Sequence, residues 1–150
     1  MKQLLLLMLV LAAAGPGIAQ GRNAPQSRTE ALEKTYNMTL FRGIDGDLFD
    51  LESGPAAQSA LAYRNILEWL PGRVPDLRVA YRRDIAIPYI RGYVANLYLD
   101  ELRVDPAAIS NLPVSDIGLL KVIRGPVVIV GGSPGGTIAI YTKRGEEEEP

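Results

Sequence analysis

Hydrophobic positions recur along this chain first with a helical period and then in short runs typical of strands. Between Ala56 and Leu70, apolar side chains are spaced three or four residues apart, which places them on one face of a helix. Pro55 suits the first turn of that helix, and Pro71-Gly72 ends it. The positions on this face are Ala60, Tyr63, Leu67 and Leu70. A weaker pattern predicts another short helix over Ala31–Met38.

The second half of the chain has the composition of a small sheet. Segments rich in β-branched and aromatic residues alternate with turn-forming residues. The predicted strands are Leu77–Val79, Ile85–Ile90, Asn96–Leu99, Arg103–Val104, Lys121–Ile123, Val127–Val130 and Thr137–Thr142. In the second strand Ile85, Ile87 and Tyr89 occupy alternate positions, which predicts that they form its buried face. Pro88 lacks a backbone donor and indicates an edge strand or a bulge.

Short helical turns between the strands complete the predicted architecture. Asp105 is suited to cap a turn that begins at Pro106, and Ser115–Ile117 forms a further turn. We therefore predict an α/β (α+β) fold, in which short helices accompany a small mixed β-sheet.

The N-terminus has the three parts of a secretory signal peptide. Lys2 supplies the positive charge, Leu4–Ala14 is an unbroken apolar run, and small residues precede a cleavage site after Ala19. The apolar run is shorter than the roughly 20 residues that a transmembrane helix requires. We predict that residues 1–19 are removed during export and that no helix of the mature chain spans a membrane.

Charge and residue usage narrow the possible chemistry. The formal net charge of −1 gives no electrostatic basis for binding nucleic acid. The sequence contains neither cysteine nor histidine, so thiolate chemistry, the commonest general base and the commonest metal ligand are all missing. We predict that the protein is not an enzyme and has no catalytic residues, cofactor or metal site.

The glycine-rich stretch within Val122–Gly145 resembles two kinds of active-site loop. Gly131-Gly132-Ser133-Pro134-Gly135 matches the G-x-S-x-G pattern of hydrolases, but Pro134 lacks the N–H that an oxyanion hole needs. A phosphate-binding loop would carry lysine where Thr137 follows Gly136. We instead predict a tight turn between two strands, whose glycines permit positive φ angles and close packing.

Two acidic groups also have competing interpretations. Asp45, Asp47 and Asp50 are spaced like part of a calcium loop, but the closing glutamate is missing, which favours a solvated turn. Asp100 and Glu101 are adjacent, so on a strand they would point to opposite faces and could not act on one substrate. Turn residues are the favoured interpretation of this pair.

Motifs in a fixed order resemble the plug domain of TonB-dependent outer-membrane receptors. They are Arg73-Val74-Pro75, Ile90-Arg91-Gly92, Tyr98-Leu99-Asp100, Val122-Ile123-Arg124-Gly125-Pro126 and Ile138-Ala139-Ile140-Tyr141-Thr142-Lys143. The resemblance covers about residues 60–145 and is greatest to the SusC-like group, which imports glycans and peptides. We assign residues 53–145 to a plug-like domain, 20–52 to a flexible N-terminal segment and 146–150 to an acidic tail.

The resemblance implies a small mixed α/β domain that gates uptake of siderophores or glycans inside a β-barrel, with energy supplied by TonB. Two arginines of such plugs pair with barrel glutamates, and Arg91 and Arg124 match them. The planar guanidinium suits this role because it can hold a carboxylate with two hydrogen bonds. The resemblance gives as partner-contact residues Arg91, Gly92, Asp100, Arg124, Gly125 and Pro126.

The sequence departs from the plug pattern at three positions. Asp76 and Glu101 replace glycines, and Lys121 replaces a glutamate. No clear TonB box occurs between Gln20 and Glu52, and no barrel strands follow Lys143 in this sequence.

We therefore expect a binding or docking module that is not a transporter by itself, exported to the periplasm or the cell outer membrane. Its partner would be a separate outer-membrane β-barrel, TonB, or a small-molecule or oligosaccharide ligand. The alternative is a structural remnant or a truncated receptor fragment without independent activity.

Overall fold

The computed structural model describes residues 24–128 and 131–144. The predicted signal peptide and the acidic tail lie outside the described residues. Within them, short helices surround a five-stranded mixed sheet and a three-stranded sheet, so the predicted α+β class is confirmed. The elements are α1 Ala24–Thr35, β1 Asp47–Asp50, α2 Gly54–Ala60, α3 Ile66–Trp69, β2 Leu77–Arg82, β3 Ile85–Ile90, β4 Tyr93–Val94, β5 Asn96–Leu99, β6 Leu102–Val104, α4 Pro106–Ser110, a 3₁₀ turn Val114–Asp116, β7 Ile117–Ile123 and β8 Thr137–Thr142.

The larger sheet has the strand order β1-β7-β8-β5-β6. Only the β5–β8 pair is parallel, with Asn96 opposite Thr137, and β7 and β8 form an antiparallel pair with Ile123 opposite Thr137. The parallel pairing requires a long crossover connection, and the segment through β6, α4 and β7 supplies it. The ends of β7 and β8 near Thr137 therefore meet at one edge of the molecule.

The smaller sheet, β2-β3-β4, is a meander with two-residue turns. Both residues of each turn have positive φ: Arg83 and Asp84 at 49° and 64°, and Arg91 and Gly92 at 53° and 84°. Such turns match the twist of the strands that they join. The Ile90-Arg91-Gly92 motif is thus the β3–β4 hairpin turn.

Two expectations for β3 are wrong. Its buried face carries Ala86, Pro88 and Ile90, while the predicted set is only half-buried. The strand is also central rather than an edge. Pro88 is tolerated there because its carbonyl accepts from Ala95 N–H, just beyond the two-residue β4, so its missing donor faces that side and not the β2 ladder.

The predicted helix over Ala56–Leu70 is in fact two short helices, α2 and α3. Helix α2 ends at Ala60, and α3 begins after Asn65, whose backbone is extended and whose side-chain oxygen accepts from Leu67 N–H at 2.9 Å. A residue that caps a new helix cannot also continue the previous one. The break leaves Tyr63 partly exposed, whereas Leu67 and Leu70 are fully buried.

Residues 24–52 contain helix α1 and strand β1, and both pack on the larger sheet. Helix α1 and the loop after it cover one face of the larger sheet, and β1 pairs with β7 as an edge strand. The apolar side chains in this layer are Tyr36, Met38, Phe41, Tyr98, Leu119, Ile123, Val127, Ala139 and Tyr141. Burying this apolar surface offsets the entropy of ordering the segment.

The other face of the larger sheet bears the main hydrophobic core. Trp69 lies there with 1% exposure, its indole N–H donates to Ser59 Oγ at 2.9 Å, and Arg73 stacks over its ring at 4.4 Å. The larger sheet is therefore a middle layer between this core and the N-terminal segment. No helix among residues 24–128 and 131–144 is long and apolar enough to cross a bilayer.

The predicted strand Val127–Val130 is not formed in its described part, because Val127 and Val128 lie outside any strand. The strand that precedes the glycine-rich turn is β7, which ends at Ile123. The strand after the glycine-rich turn is β8, as predicted, whereas the described strand before it ends at Ile123 and does not include Val127 or Val128. Residues 129–130 lie outside the described range.

Candidate partner-contact site

Four of the six predicted contact residues lie together at one end of the molecule. Arg124, Gly125 and Pro126 follow directly after β7, and Arg91 lies in the β3–β4 turn. All four line one open cavity of about 520 Å³, which we call the arginine cavity. Its other lining residues are Ile44, Asp45, Gly46, Ile123, Val127 and Val128. Gly92 is adjacent to Arg91 in the same turn.

The glycine-rich turn contacts both the end of β7 and strand β4. A side-chain carbon on Gly136 would collide with the carbonyl oxygen of Ile123, and one on Gly135 would lie 2.6 Å from the carbonyl oxygen of Tyr93. Ser133 Oγ donates to Val94 O at 3.0 Å. The turn thus packs between the end of β7 and strand β4, as the prediction of close packing required.

The two arginines differ in their surroundings. Arg124 Nε lies 3.1 Å from Asp47 Oδ2 in an ion pair without hydrogen-bond geometry, and both side chains are about one-third exposed. Within the described part of the chain, the Arg91 side chain forms no ion pair. Its backbone is fixed, because Arg91 N–H donates to Asp76 O at 3.1 Å.

Two of the departures from the plug pattern keep a glycine-like backbone. Asp76 and Glu101 stand where the pattern has glycine, and their φ angles are +60° and +71°. Non-glycine residues adopt such angles at a cost, and Asp adopts them more readily than most. The backbone shape that the motif requires is therefore retained although the glycines are not.

Asp100 does not join the arginine cavity. It lies in the β5–β6 turn, where its carboxylate accepts from Thr142 N–H at 2.9 Å and from Thr142 Oγ1 at 2.8 Å. Thr142 ends β8 and Thr137 begins it, so Asp100 and Arg124 lie at opposite ends of that strand. The side chain of Asp100 holds the β5–β6 turn against the sheet.

Glu101, interpreted above as an ordinary turn residue, is also an anchor for the N-terminal segment. Its carboxylate accepts from Thr39 N–H at 3.2 Å, Thr39 Oγ1 at 2.7 Å, Leu40 N–H at 2.6 Å and the Tyr141 hydroxyl. Partial burial acts to raise the pKa of Glu101, but these hydrogen bonds outweigh it and lower that pKa below its usual value. Burial and the bond to Glu101 raise the pKa of Tyr141.

Lys121 is a second anchor that sequence reasoning missed. It lies fully buried in β7, where its ammonium donates to Glu33 of α1 and to Phe41 O at 2.8 Å. Glu33 also accepts from Gly43 N–H at 3.1 Å. The available signal was a single lysine inside the apolar run of β7, which indicates a buried partner of opposite charge.

The residues weighed for catalysis and for calcium binding have structural roles here. Ser133 Oγ donates to a backbone carbonyl, and the chain has no histidine to act on it. Asp47 faces Arg124, whereas Asp50 contacts Arg28 at 3.4 Å and accepts from Glu52 N–H at 3.1 Å. Among the described residues, no group of three potential ligands could hold a metal ion.

Neither family models nor curated proteins give a match to this chain. Solved structures do. The siderophore receptor PirA from Acinetobacter baumannii matches with a TM-score of 0.54 at 17% identity, over 70% of this chain and 18% of that chain. The RagAB peptide importer in its open-open state matches with a TM-score of 0.51 at 16% identity, over 71% of this chain and 13% of that chain.

The G324V mutant of the ferric enterobactin receptor PfeA from Pseudomonas aeruginosa matches with a TM-score of 0.50 at 14% identity, over 77% of this chain and 18% of that chain. The structural neighbours are TonB-dependent receptors. The resemblance inferred from the motifs is thereby confirmed for the fold. This chain spans less than a fifth of the length of these receptors.

Proposed function

We propose that this chain is an exported, plug-like docking module of an outer-membrane nutrient-uptake system. It acts in the periplasm or at the outer membrane by binding a separate partner, and it is not a transporter by itself. The partner-contact surface is the arginine cavity together with Gly92. The observation that carries the proposal is that Arg91 and Arg124, which are distant in sequence, line the same cavity.

The chemistry of this surface favours a partner that presents carboxylates. Each guanidinium can hold a carboxylate through two parallel hydrogen bonds, and no metal or cofactor is needed for that contact. Val128, which is 85% exposed, adds apolar surface at the cavity rim. Apolar contacts around an ion pair exclude water and strengthen it. A membrane protein with glutamates on its inner wall, as the plug resemblance implies, meets these requirements.

Recovery of partners from solubilised outer membranes tests the proposal. The bait is the mature chain, and the variant carries Arg91→Glu and Arg124→Glu. We expect the variant to lose the wild-type partner by roughly tenfold or more, because reversing a buried charge pair costs about 2–5 kcal/mol. A partner with paired glutamates would be identified by mass spectrometry of the wild-type eluate.

The matched control is the double variant Arg82→Glu and Arg83→Glu. It changes the net charge equally, at exposed positions at the far end of β3. Loss of the partner with the first variant and not with the control supports docking through the arginine cavity. Equal recovery with all three proteins contradicts it and favours the alternative of a fragment without activity of its own.

A further inference from the structure

Arg124, one of the two arginines proposed for docking, already forms an ion pair with Asp47 of the same chain. Only Arg124 Nε takes part, at 3.1 Å from Asp47 Oδ2, so the contact is not the bidentate arrangement that guanidinium and carboxylate favour. The side chains of Arg124 and Asp47 are 36% and 33% exposed, but Asp47 Oδ2 itself is buried, so a competing group from solvent reaches the pair at the guanidinium of Arg124.

Secondary structure holds the backbone of Asp47 more firmly than that of Arg124. Asp47 begins β1, whose ladder to β7 places it opposite Val122. Arg124 follows the last residue of β7, on the segment that leads into the glycine-rich turn. The long arginine side chain can therefore reorient while Asp47 remains on the sheet.

The charges around the cavity balance in the unbound chain. Arg91, Arg124 and Asp45 line it, and Asp47 pairs with Arg124, which gives two positive and two negative charges. A neutral cavity does not attract an anion by net charge. A carboxylate that takes Arg124 must therefore compete with Asp47, whereas Arg91 has no such internal competitor among the described residues.

We propose that Asp47 holds Arg124 in the unbound protein and releases it to a carboxylate of the partner. Docking then exchanges an intramolecular ion pair for an intermolecular one. This inference rests on the proposed docking function and specifies its regulation. Exposed ion pairs of this kind are weak, so the exchange penalises docking slightly and discriminates against ligands that hold Arg124 less well than Asp47 does.

Titration with a hexaglutamate peptide, with hexaglutamine as the uncharged reference, tests the exchange. We expect Asp47→Asn to bind hexaglutamate roughly two- to fivefold more tightly than wild type, as removal of an exposed competing pair implies. Asp45→Asn is the matched control, since it removes an equal charge from the same cavity but no ion pair among the described residues. Its gain should be smaller, and adding Arg124→Gln to Asp47→Asn should abolish the larger gain.

Three results would overturn the exchange. They are an equal gain in both aspartate variants, no gain or a loss in Asp47→Asn, and no hexaglutamate binding by any variant. Thermal unfolding checks that Asp47→Asn is folded, and Asp47→Ser serves as the second variant if it is not. If docking to the membrane partner still depends on Arg124 while Asp47→Asn has no effect, the exchange fails and the proposed function stands.

Discussion

Lys121 of β7 forms a buried ion pair with Glu33 of α1, and their side chains are only 1% and 3% exposed. The pair lies between the larger sheet and the N-terminal segment, beside an apolar layer. Buried charges are costly unless each finds a partner of opposite charge together with further hydrogen bonds. Phe41 O and Gly43 N–H supply those additional bonds. The pair therefore specifies where the N-terminal segment docks.

Removing one member of this pair should destabilise the protein strongly. We expect Lys121→Met or Glu33→Leu alone to lower the free energy of unfolding by about 3–5 kcal/mol, because an uncompensated charge remains buried. The double variant Lys121→Met with Glu33→Leu should recover most of that loss. Urea unfolding followed by circular dichroism gives the values and the coupling energy.

The exposed pair Arg28–Asp50 is the control for this prediction. The Arg28 side chain is 73% exposed, so Arg28→Gln should change the free energy of unfolding by no more than about 1 kcal/mol. If the Lys121 variant were equally mild, the buried pair would have no role in holding the N-terminal segment.

Acid should weaken the attachment of the N-terminal segment through Glu101. The pKa of Glu101 is lowered in the folded chain, so its stabilising contribution is present above the unfolded value near 4.5 and is lost as the pH falls through the folded pKa. We expect Glu101→Gln to have a shallower dependence of unfolding free energy on pH between about 5 and 3.

Chemical unfolding of wild type and Glu101→Gln at a series of pH values measures this difference. Asp105→Asn is a suitable control, because Asp105 precedes α4 without a side-chain capping bond. Parallel curves for wild type and Glu101→Gln would contradict the assignment of the acid-sensitive contact to Glu101.

Gly136 should be the most sensitive glycine of the turn that shapes the arginine cavity. Alanine there adds the strain of a positive φ, +81°, to a collision with the backbone of Ile123. We expect Gly136→Ala to cost at least about 3 kcal/mol, as the sum of the conformational and overpacking terms. It should also weaken partner recovery, because the end of β7 must move.

Gly92→Ala separates the cost of backbone strain from the cost of the collision. Gly92 has nearly the same φ, +84°, but nothing lies within 4 Å of a carbon added there. Its cost should be about 1–2 kcal/mol, from backbone strain alone. Equal melting temperatures for the two alanine variants would show that close packing at Gly136 has no energetic role.

Local sequence signals were sufficient where local geometry decides the structure. The strands β5 and β6, the turn at Asp100-Glu101 and the glycine-rich connection before β8 follow from residue preferences within a few positions. Asn65 is an instance where a local signal was available but was outweighed by the helical spacing of apolar residues around it.

By itself, the sequence determined the α+β class, most strand positions and a motif order that matches the plug fold, because these depend on periodicity and turn chemistry. Only the tertiary structure decided which face of β3 is buried, since α3 and α4 pack on this strand and its buried face carries Ala86, Pro88 and Ile90. The tertiary structure alone also places Arg91 and Arg124 on one cavity and pairs Lys121 with Glu33. Each joins residues distant in the chain, and sheet pairing and core burial bring such residues together.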